Sequence, residues 1–443
     1  MKAIRPFVFL VTIGFLLSGI LLISCESKQS KSAAEILGDP AYVAISYGGY
    51  RQNTREVVPT VEEIKEDMLI LEAMGIKVLR TYNTQQFEHA ARTLQAIDEL
   101  KEADPSFEMY VMLGAWIDCL GAWTDKPDHS QEDLVNNQTE IDTAIELALE
   151  YPDIVKVIAV GNESMVHWAS SYYVGPEIIL KWVGYLQDMK KKGHLPADIW
   201  ITSSDNFASW GGGDESYHKP ELVALIKEVD YISLHTYPFH DSHYNPDYWM
   251  VPPEEEDLEA LEKIDAAMLR SRDYAISQFQ AVEEYVKSEG IEKPIHIGET
   301  GWATACGFLY GSGGSRAADE YKQKKYHDLM REWSASQGVA CFFFEAFDES
   351  WKDSQHELGS ENHFGLIDLQ GRAKYVLWEQ LDKDVFQGLT RNGQTIRKTY
   401  EGHFPRLMEK VQVPPSKRDP GSDRTSMVPS QKQLESTKEQ PYE

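Results

Sequence analysis

Two glutamates in this sequence stand where apolar runs stop. Lys293-Pro294-Ile295-His296-Ile297-Gly298-Glu299-Thr300-Gly301-Trp302 reads as a short strand ending at one carboxylate. A glycine on either side of the Glu-Thr pair lets the backbone turn, and an aromatic face follows at once. Ile158-Ala159-Val160-Gly161-Asn162-Glu163, followed by Trp168, has the same grammar. Two carboxylates facing each other across a rim can split an acetal. A protonated one donates to the leaving oxygen, and an ionised one attacks or activates water. Glu163 is assigned as the acid, later the base, and Glu299 as the nucleophile. Asn162 would hydrogen-bond a sugar's 2-hydroxyl. Arg80 and Tyr237 would hold Glu299 charged and oriented, Arg80 by placing a positive charge nearby.

The elements that must position these groups alternate strand and helix. Strands are expected at 41–47, 76–82, 108–113, 154–160, 199–203, 231–236, 295–297 and 340–344. Helices are expected between them, the first opened by the capping box Thr60-x-x-Glu63 with Val61, Ile64, Met68 and Leu71 on its apolar face. Others are expected at 87–103, around 141–148, at 177–191, 221–228, 275–287 and 317–336, and a last one from about Lys374. Eight strands each followed by a helix is the count for an α/β fold of the (β/α)8 TIM-barrel kind, with a single catalytic domain. The strands are near-continuous apolar runs, as burial on both faces demands. A doubly wound open sheet would carry a Gly-rich phosphate turn after its first strand. Ser46-Tyr47-Gly48-Gly49-Tyr50 lacks that spacing.

In such barrels reacting groups lie at the carboxyl ends of the strands. There the sequence places Tyr47, Arg80, Tyr82, Asn162, Asp205, Tyr237, Trp302, Glu345, Asp348 and Trp351, which form the expected substrate-binding set around the two catalytic glutamates. Glu345 is the main rival carboxylate and is read as a substrate hydrogen-bonder or a partner of Arg80. Of the eleven Trp, seven (116, 123, 168, 210, 249, 302 and 351) fall in or just beyond strand ends or in the insertion after the sixth strand. Residues that only filled a core would be spread over helices and strands alike. Sugar rings have apolar faces and hydroxyl edges, so aromatic platforms between Asn, Asp, Arg and Glu suit a glycan cleft.

The net charge of −28 argues against nucleic acid and other polyanions, and is compatible with a neutral glucan. No cofactor is needed, because two carboxylates suffice. His235, His240, Asp241 and His243 fit no metal-ligand spacing, so no metal is expected. Past Cys25 there are three cysteines, an odd number. A Cys119–Cys306 bridge and three unpaired thiols are both open, the latter as small buried hydrophobes.

Residues 1–24 read as a signal peptide. Lys2 and Arg5 precede an apolar run from Phe7 to Ile23, which stops at Leu22-Ile23-Ser24-Cys25. That end resembles a bacterial lipobox, which implies acylation of Cys25 and an extracytoplasmic, membrane-anchored protein. Residues 25–40 then form a polar tether, 41–385 the barrel, and 386–443 a C-terminal extension, disordered from about 413. The connection 238–270 is the longest insertion and stands over one side of the mouth.

Val160-Gly161-Asn162-Glu163, Glu299-Thr300-Gly301-Trp302 and Phe342-Phe343-Phe344-Glu345-Ala346-Phe347-Asp348-Glu349 together resemble glycoside hydrolase family 17, as does Glu361-Asn362-His363-Phe364-Gly365-Leu366. The resemblance runs from about Tyr42 to Trp378. It implies a retaining enzyme that cleaves β-1,3-glucosidic bonds of laminarin-type β-glucan through a covalent glycosyl-enzyme, with Glu163 as acid and base, Glu299 as nucleophile, and Tyr237 beside it. A β-1,3-glucan transglycosylase would use the same residues. A surface glycan-binding lipoprotein without catalysis is the reading from another class, and it has no need of a matched acid and nucleophile.

Overall fold

The computed structural model describes residues 31–418. Eight strands close into a barrel with every neighbouring pair parallel. They are β1 (Val43–Ser46), β2 (Ile76–Arg80), β3 (Tyr110–Ala115), β4 (Val155–Asn162), β5 (Trp200–Asn206), β6 (Ile232–His235), β7 (Ile295–Gly301) and β8 (Cys341–Phe344). Each matches an expected strand to within a few residues. The surrounding helices follow in the expected order, most of them starting within three residues of the expected position. The helix Val61–Ala73 is opened by the reciprocal box, with Glu63 N–H donating to Thr60 Oγ1 (3.2 Å) and Thr60 N–H to the Glu63 carboxylate (2.8 Å). Its Ile64, Met68 and Leu71 are buried against the barrel.

Several boundaries differ from expectation. The stretch read as a tether contains a short helix, Ala33–Leu37, itself opened by a Ser32/Glu35 capping box. Its Ala33, Ile36 and Leu37 are buried in a cluster with Tyr42, Val78, Met112 and Phe342. The fold therefore begins well before residue 41, and apolar side chains in a polar stretch were the signal. The helix after the insertion runs Ala260–Ser288, so the last third of the expected connection is its first turns. Residues 413–418 are ordered: Lys417 N–H donates to Val251 O (2.9 Å), and Val251 N–H donates to Pro415 O (2.9 Å). The rest of the expected disordered tail, the signal peptide and Cys25 lie outside the described residues. Cys119, Cys306 and Cys341 are all free thiols, which settles the open disulfide.

Candidate active site

Both glutamates are delivered by the same backbone device. Between Leu234↔Ile297 and His235↔Glu299 the β7 strand carries one residue more than β6, and that residue is Gly298. Between Ala159↔Thr202 and Asn162↔Ser204 the β4 strand carries one more than β5, at the run containing Gly161. A bulge re-aims the side chain that follows it. Gly298 is required, since a Cβ there would lie 2.0 Å from Ser233 Oγ. Gly161 is left-handed, with φ +79°. Glu163 itself has φ +46°, a conformation that costs a non-glycine residue about 1 kcal/mol and marks functional positions.

Glu299 is only 7 % exposed and is held on every side. Tyr237 Oη donates to its Oε1 (2.5 Å) and Tyr82 Oη to its Oε2 (2.7 Å). The Arg80 guanidinium also bonds Oε2, and a second contact reaches Gly298 O (3.0 Å). Its other arm donates to Asn162 Oδ1. Burial alone would raise the Glu299 pKa. The Arg80 charge and the two hydroxyls oppose burial, and the carboxyl is held below its ordinary value. Burial and the neighbouring carboxylate push both tyrosines well above their ordinary value, so they remain donors. Arg80 thus touches Glu299 as expected and, by its other arm, also ties in the strand end carrying Asn162.

Glu163 is half-open to the cleft, its side chain 26 % exposed. Its Oε1 lies 3.1 Å from His235 Nδ1, and its N–H donates to Ser204 O (3.0 Å). The two glutamates, Asn162, Tyr82 and Tyr237 line one cleft of about 1010 Å³ at the carboxyl ends of the strands. One wall is aromatic, with Trp116, Trp123 and Tyr172 clustered and the last two stacked at 4.8 Å. Trp168 stands at the rim, 47 % exposed. Tyr50 and Trp351 also line the cleft and meet edge to face, with the Arg55 guanidinium 4.4 Å from the Trp351 ring. Tyr244 also lines the cleft, as do His240 and Phe364, whose rings pack on Tyr237.

The remaining expected residues are placed otherwise. Tyr47 lines the floor, but its hydroxyl points away to Asp67 Oδ2 (3.1 Å). Asp205 is fully buried and spends its oxygens on Met165 N–H, Asn206 N–H and Ser209 Oγ, pinning the loop that follows Glu163. Asp348 bonds Lys374 Nζ (2.7 Å) and Gly365 N–H (2.9 Å) away from the cleft. Glu345 is buried, and its partner is Lys352 rather than Arg80. Trp302 is fully buried, and its indole N–H donates to Ala317 O (2.9 Å). Trp210 and Trp249 are likewise in the core, each satisfied by a backbone carbonyl. At a strand end, sequence alone does not tell an indole that faces the cleft from one whose N–H is captured inside. Sequence reasoning missed Tyr50, Arg55, Glu140 and Lys352 among the lining residues, whereas Tyr244 belongs to the insertion expected over the mouth. The Gly-Gly-Tyr turn after β1 was the available signal for Tyr50.

A family model described as the BtgE/BtgC glycoside hydrolase domain matches residues 44–365. The crystal structure of an endo-laminarinase from Formosa Hel1_33_131 is 57 % identical, with TM-score 0.86, covering 87 % of this chain and 98 % of that one. A glycoside hydrolase family 17 β-1,3-glucanosyltransferase from Rhizomucor miehei, 18 % identical, shares the fold (TM-score 0.52; 76 % of this chain, 96 % of that one). A probable glucan endo-1,3-β-glucosidase of Aspergillus terreus is 23 % identical over 320 residues. That match takes in 70 % of this chain, which spans 40 % of the relative's length. The family match begins in β1 and ends beyond β8, taking in both glutamates and every barrel strand, and the chain belongs to the BtgE/BtgC glycoside hydrolase family.

Proposed function

We propose that the protein hydrolyses β-1,3-glucosidic bonds of laminarin-type glucan with retention. The observation that carries this reading is the clamped, ionised Glu299 sharing a cleft with the half-exposed Glu163. In the first step Glu299 attacks the anomeric carbon while Glu163 passes its proton to the departing glycosidic oxygen. In the second, Glu163 takes a proton from water, which displaces Glu299 from the same carbon. Arg80, Tyr82 and Tyr237 stabilise the carboxylate before attack and after release. Asn162, oriented by Arg80, faces the sugar's 2-hydroxyl. The aromatic walls offer stacking faces to neighbouring glucosyl units. The likeness to an endo-laminarinase supports a β-1,3-glucan as substrate and cleavage within the chain.

The test is a time course of product lengths from a linear β-1,3-glucan, run beside Glu299→Gln, with proton NMR of the first products. Shortening chains with the β-anomer formed first are expected, and no shortening in the variant. An α-anomer formed first would overturn retention. Products longer than the substrate would show that a sugar hydroxyl replaces water as acceptor. Binding without turnover in the parent protein would favour a glycan-binding role.

We propose also that Cys25 is acylated and holds the enzyme outside the cytoplasm. The basic start, the apolar run and the Leu22-Ile23-Ser24-Cys25 end support this. Incorporation of labelled palmitate, lost in Cys25→Ala together with membrane retention, is the expected result.

A further inference from the structure

His235 is fully buried, yet it touches the group assigned as acid and base. Its Nδ1 lies 3.1 Å from Glu163 Oε1, and its Nε2 lies 2.7 Å from Ser204 Oγ. Ser204 Oγ lies in turn 2.8 Å from Ser233 Oγ. The imidazole is thus fixed at both nitrogens, by the cleft on one side and by a hydroxyl pair inside the barrel on the other. Its backbone is fixed as well, because His235 pairs with Asn206 of β5 and with Glu299 of β7.

We infer that His235 is a positioning residue for the acid, acting through its Nδ1–H. A carboxylic acid carries its proton on one oxygen, and the other oxygen only accepts. A donor on Oε1 therefore leaves Oε2 as the seat of the acidic proton. Oε2 is the oxygen His235 does not engage, and so the one free to serve the leaving group. Were the proton shared between Oε1 and Nδ1, it would point into the barrel. The serine pair favours the first arrangement: Ser233 can donate to Ser204 Oγ, and Ser204 can donate to Nε2, which leaves the ring hydrogen on Nδ1. After the first step Glu163 is a carboxylate, which can only accept, and the same Nδ1–H serves that state without moving. No proton leaves His235 in either step. The proton delivered to the leaving oxygen comes from Glu163, and water restores it.

This inference rests on Glu163 being the acid, and the experiment separates the two claims. Three variants, His235→Ala, His235→Asn and Glu163→Gln, are assayed for kcat/KM on linear β-1,3-glucan and on a dinitrophenyl β-laminaribioside, whose leaving group needs no proton. An Asn side chain can place an N–H where Nδ1–H stood; Ala cannot. His235→Ala is expected to lose about 10- to 100-fold on glucan, the scale of a lost hydrogen bond to a charged group, and at least tenfold less on the dinitrophenyl substrate. His235→Asn should recover most of the glucan activity. Equal losses of His235→Ala on both substrates, or no loss on glucan, would overturn the inference, as would an Asn variant as slow as Ala. If Glu163→Gln loses both substrates equally, it is the acid assignment that fails. Thermal melts of each variant separate unfolding from these effects.

Discussion

At the scale of single residues the decisive balance is around Glu299. A buried carboxylate without partners would be protonated near neutral pH and useless as a nucleophile. Here burial raises its pKa, while the Arg80 charge and the Tyr237 and Tyr82 hydroxyls lower it, and the net direction is down. The acidic limb of kcat/KM should therefore lie below the ordinary glutamate value of 4.5. Arg80→Met removes the largest opposing charge and leaves burial in place, so the limb should move to higher pH. The rate at neutral pH should fall about 10²- to 10³-fold, as when a preorganised stabilising group is removed. A limb that stays put would mean that Arg80 does not hold the charge. The same shift has a stability consequence. A depressed carboxyl contributes stability above its unfolded pKa and loses it as pH falls through the folded value. Tyr237→Phe removes one donor and keeps the guanidinium, so its limb should move less than that of Arg80→Met. Both glutamates, Asn162, Arg80, Tyr82 and Tyr237 were legible in the sequence because each ends or follows an apolar run. Asp205, Trp302, Glu345 and Asp348 obey the same rule and face elsewhere. Their partners, Met165 N–H, Ala317 O, Lys352 and Lys374, come from other loops that sequence order does not bring together.

At the scale of elements, a strand that runs straight would point Glu299 at a different place from one with an extra residue. Gly298 supplies the extra residue and passes 2.0 Å, measured from a Cβ built there, from Ser233 Oγ. Gly298→Ala should cost about 1–3 kcal/mol by overpacking. Its kcat/KM should fall more than its melting temperature implies, because relief of the clash shifts the nucleophile. Adding Ser233→Gly should restore part of both, and a double variant no better than the single one would place the dominant clash on Ser204 Oγ, 2.6 Å from the same Cβ. Glu140, on the helix Leu134–Glu150, ties two loops together. It accepts from Thr84 N–H, Gln85 N–H (3.1 Å) and Trp116 N–H (3.0 Å). Burial pushes its carboxyl up to about 7, against the pull of those three donors. A raised carboxyl gives stability that is whole below its unfolded pKa and is lost as pH rises through about 7. The difference in melting temperature between the parent and Glu140→Gln should therefore shrink or change sign as pH rises from about 5 to 8. Measuring the difference cancels Glu320, which burial also raises to about 7. Strand and helix order was legible because apolar period separates the two element types. The first turns of Ala260–Ser288 were not, because they follow an acidic run that reads as loop, although Ile264, Ala267 and Met268 bury a face at helical spacing.

At the scale of the whole molecule, the C-terminal extension braces the site from behind, through Asp67 and the turn after β1. The hairpin formed by Thr390–Arg391 and Gln394–Thr395 brings Arg391 into the interior, where it is fully buried. Arg391 Nε donates to Asp67 Oδ1 (2.9 Å), an arm reaches Gly49 O (3.3 Å), and the guanidinium lies 4.0 Å from the centre of the Phe347 ring. Asp67 also accepts from Arg51 and from Tyr47, whose ring lines the cleft. A chain of contacts thus runs from residue 391 through Asp67 to the turn after β1. Periodicity could not show it, since two short strands far beyond the barrel carry the cation. Arg391→Met leaves Asp67 buried with Arg51 and Tyr47 still bonded to it, so the cost should fall below the ~3–5 kcal/mol of a buried charge left unpaired. Asp67→Asn combined with Arg391→Met removes the charge that would be stranded and should recover a good part of that loss. Urea unfolding of the parent, both single variants and the double variant measures the coupling directly. Additive losses would mean that the extension is held by its packing on Phe347 and Gly49, not by the ion pair. A coupling of a few kcal/mol, accompanied by a raised KM in Arg391→Met, would show that the segment beyond the barrel sets the position of Tyr47 in the cleft.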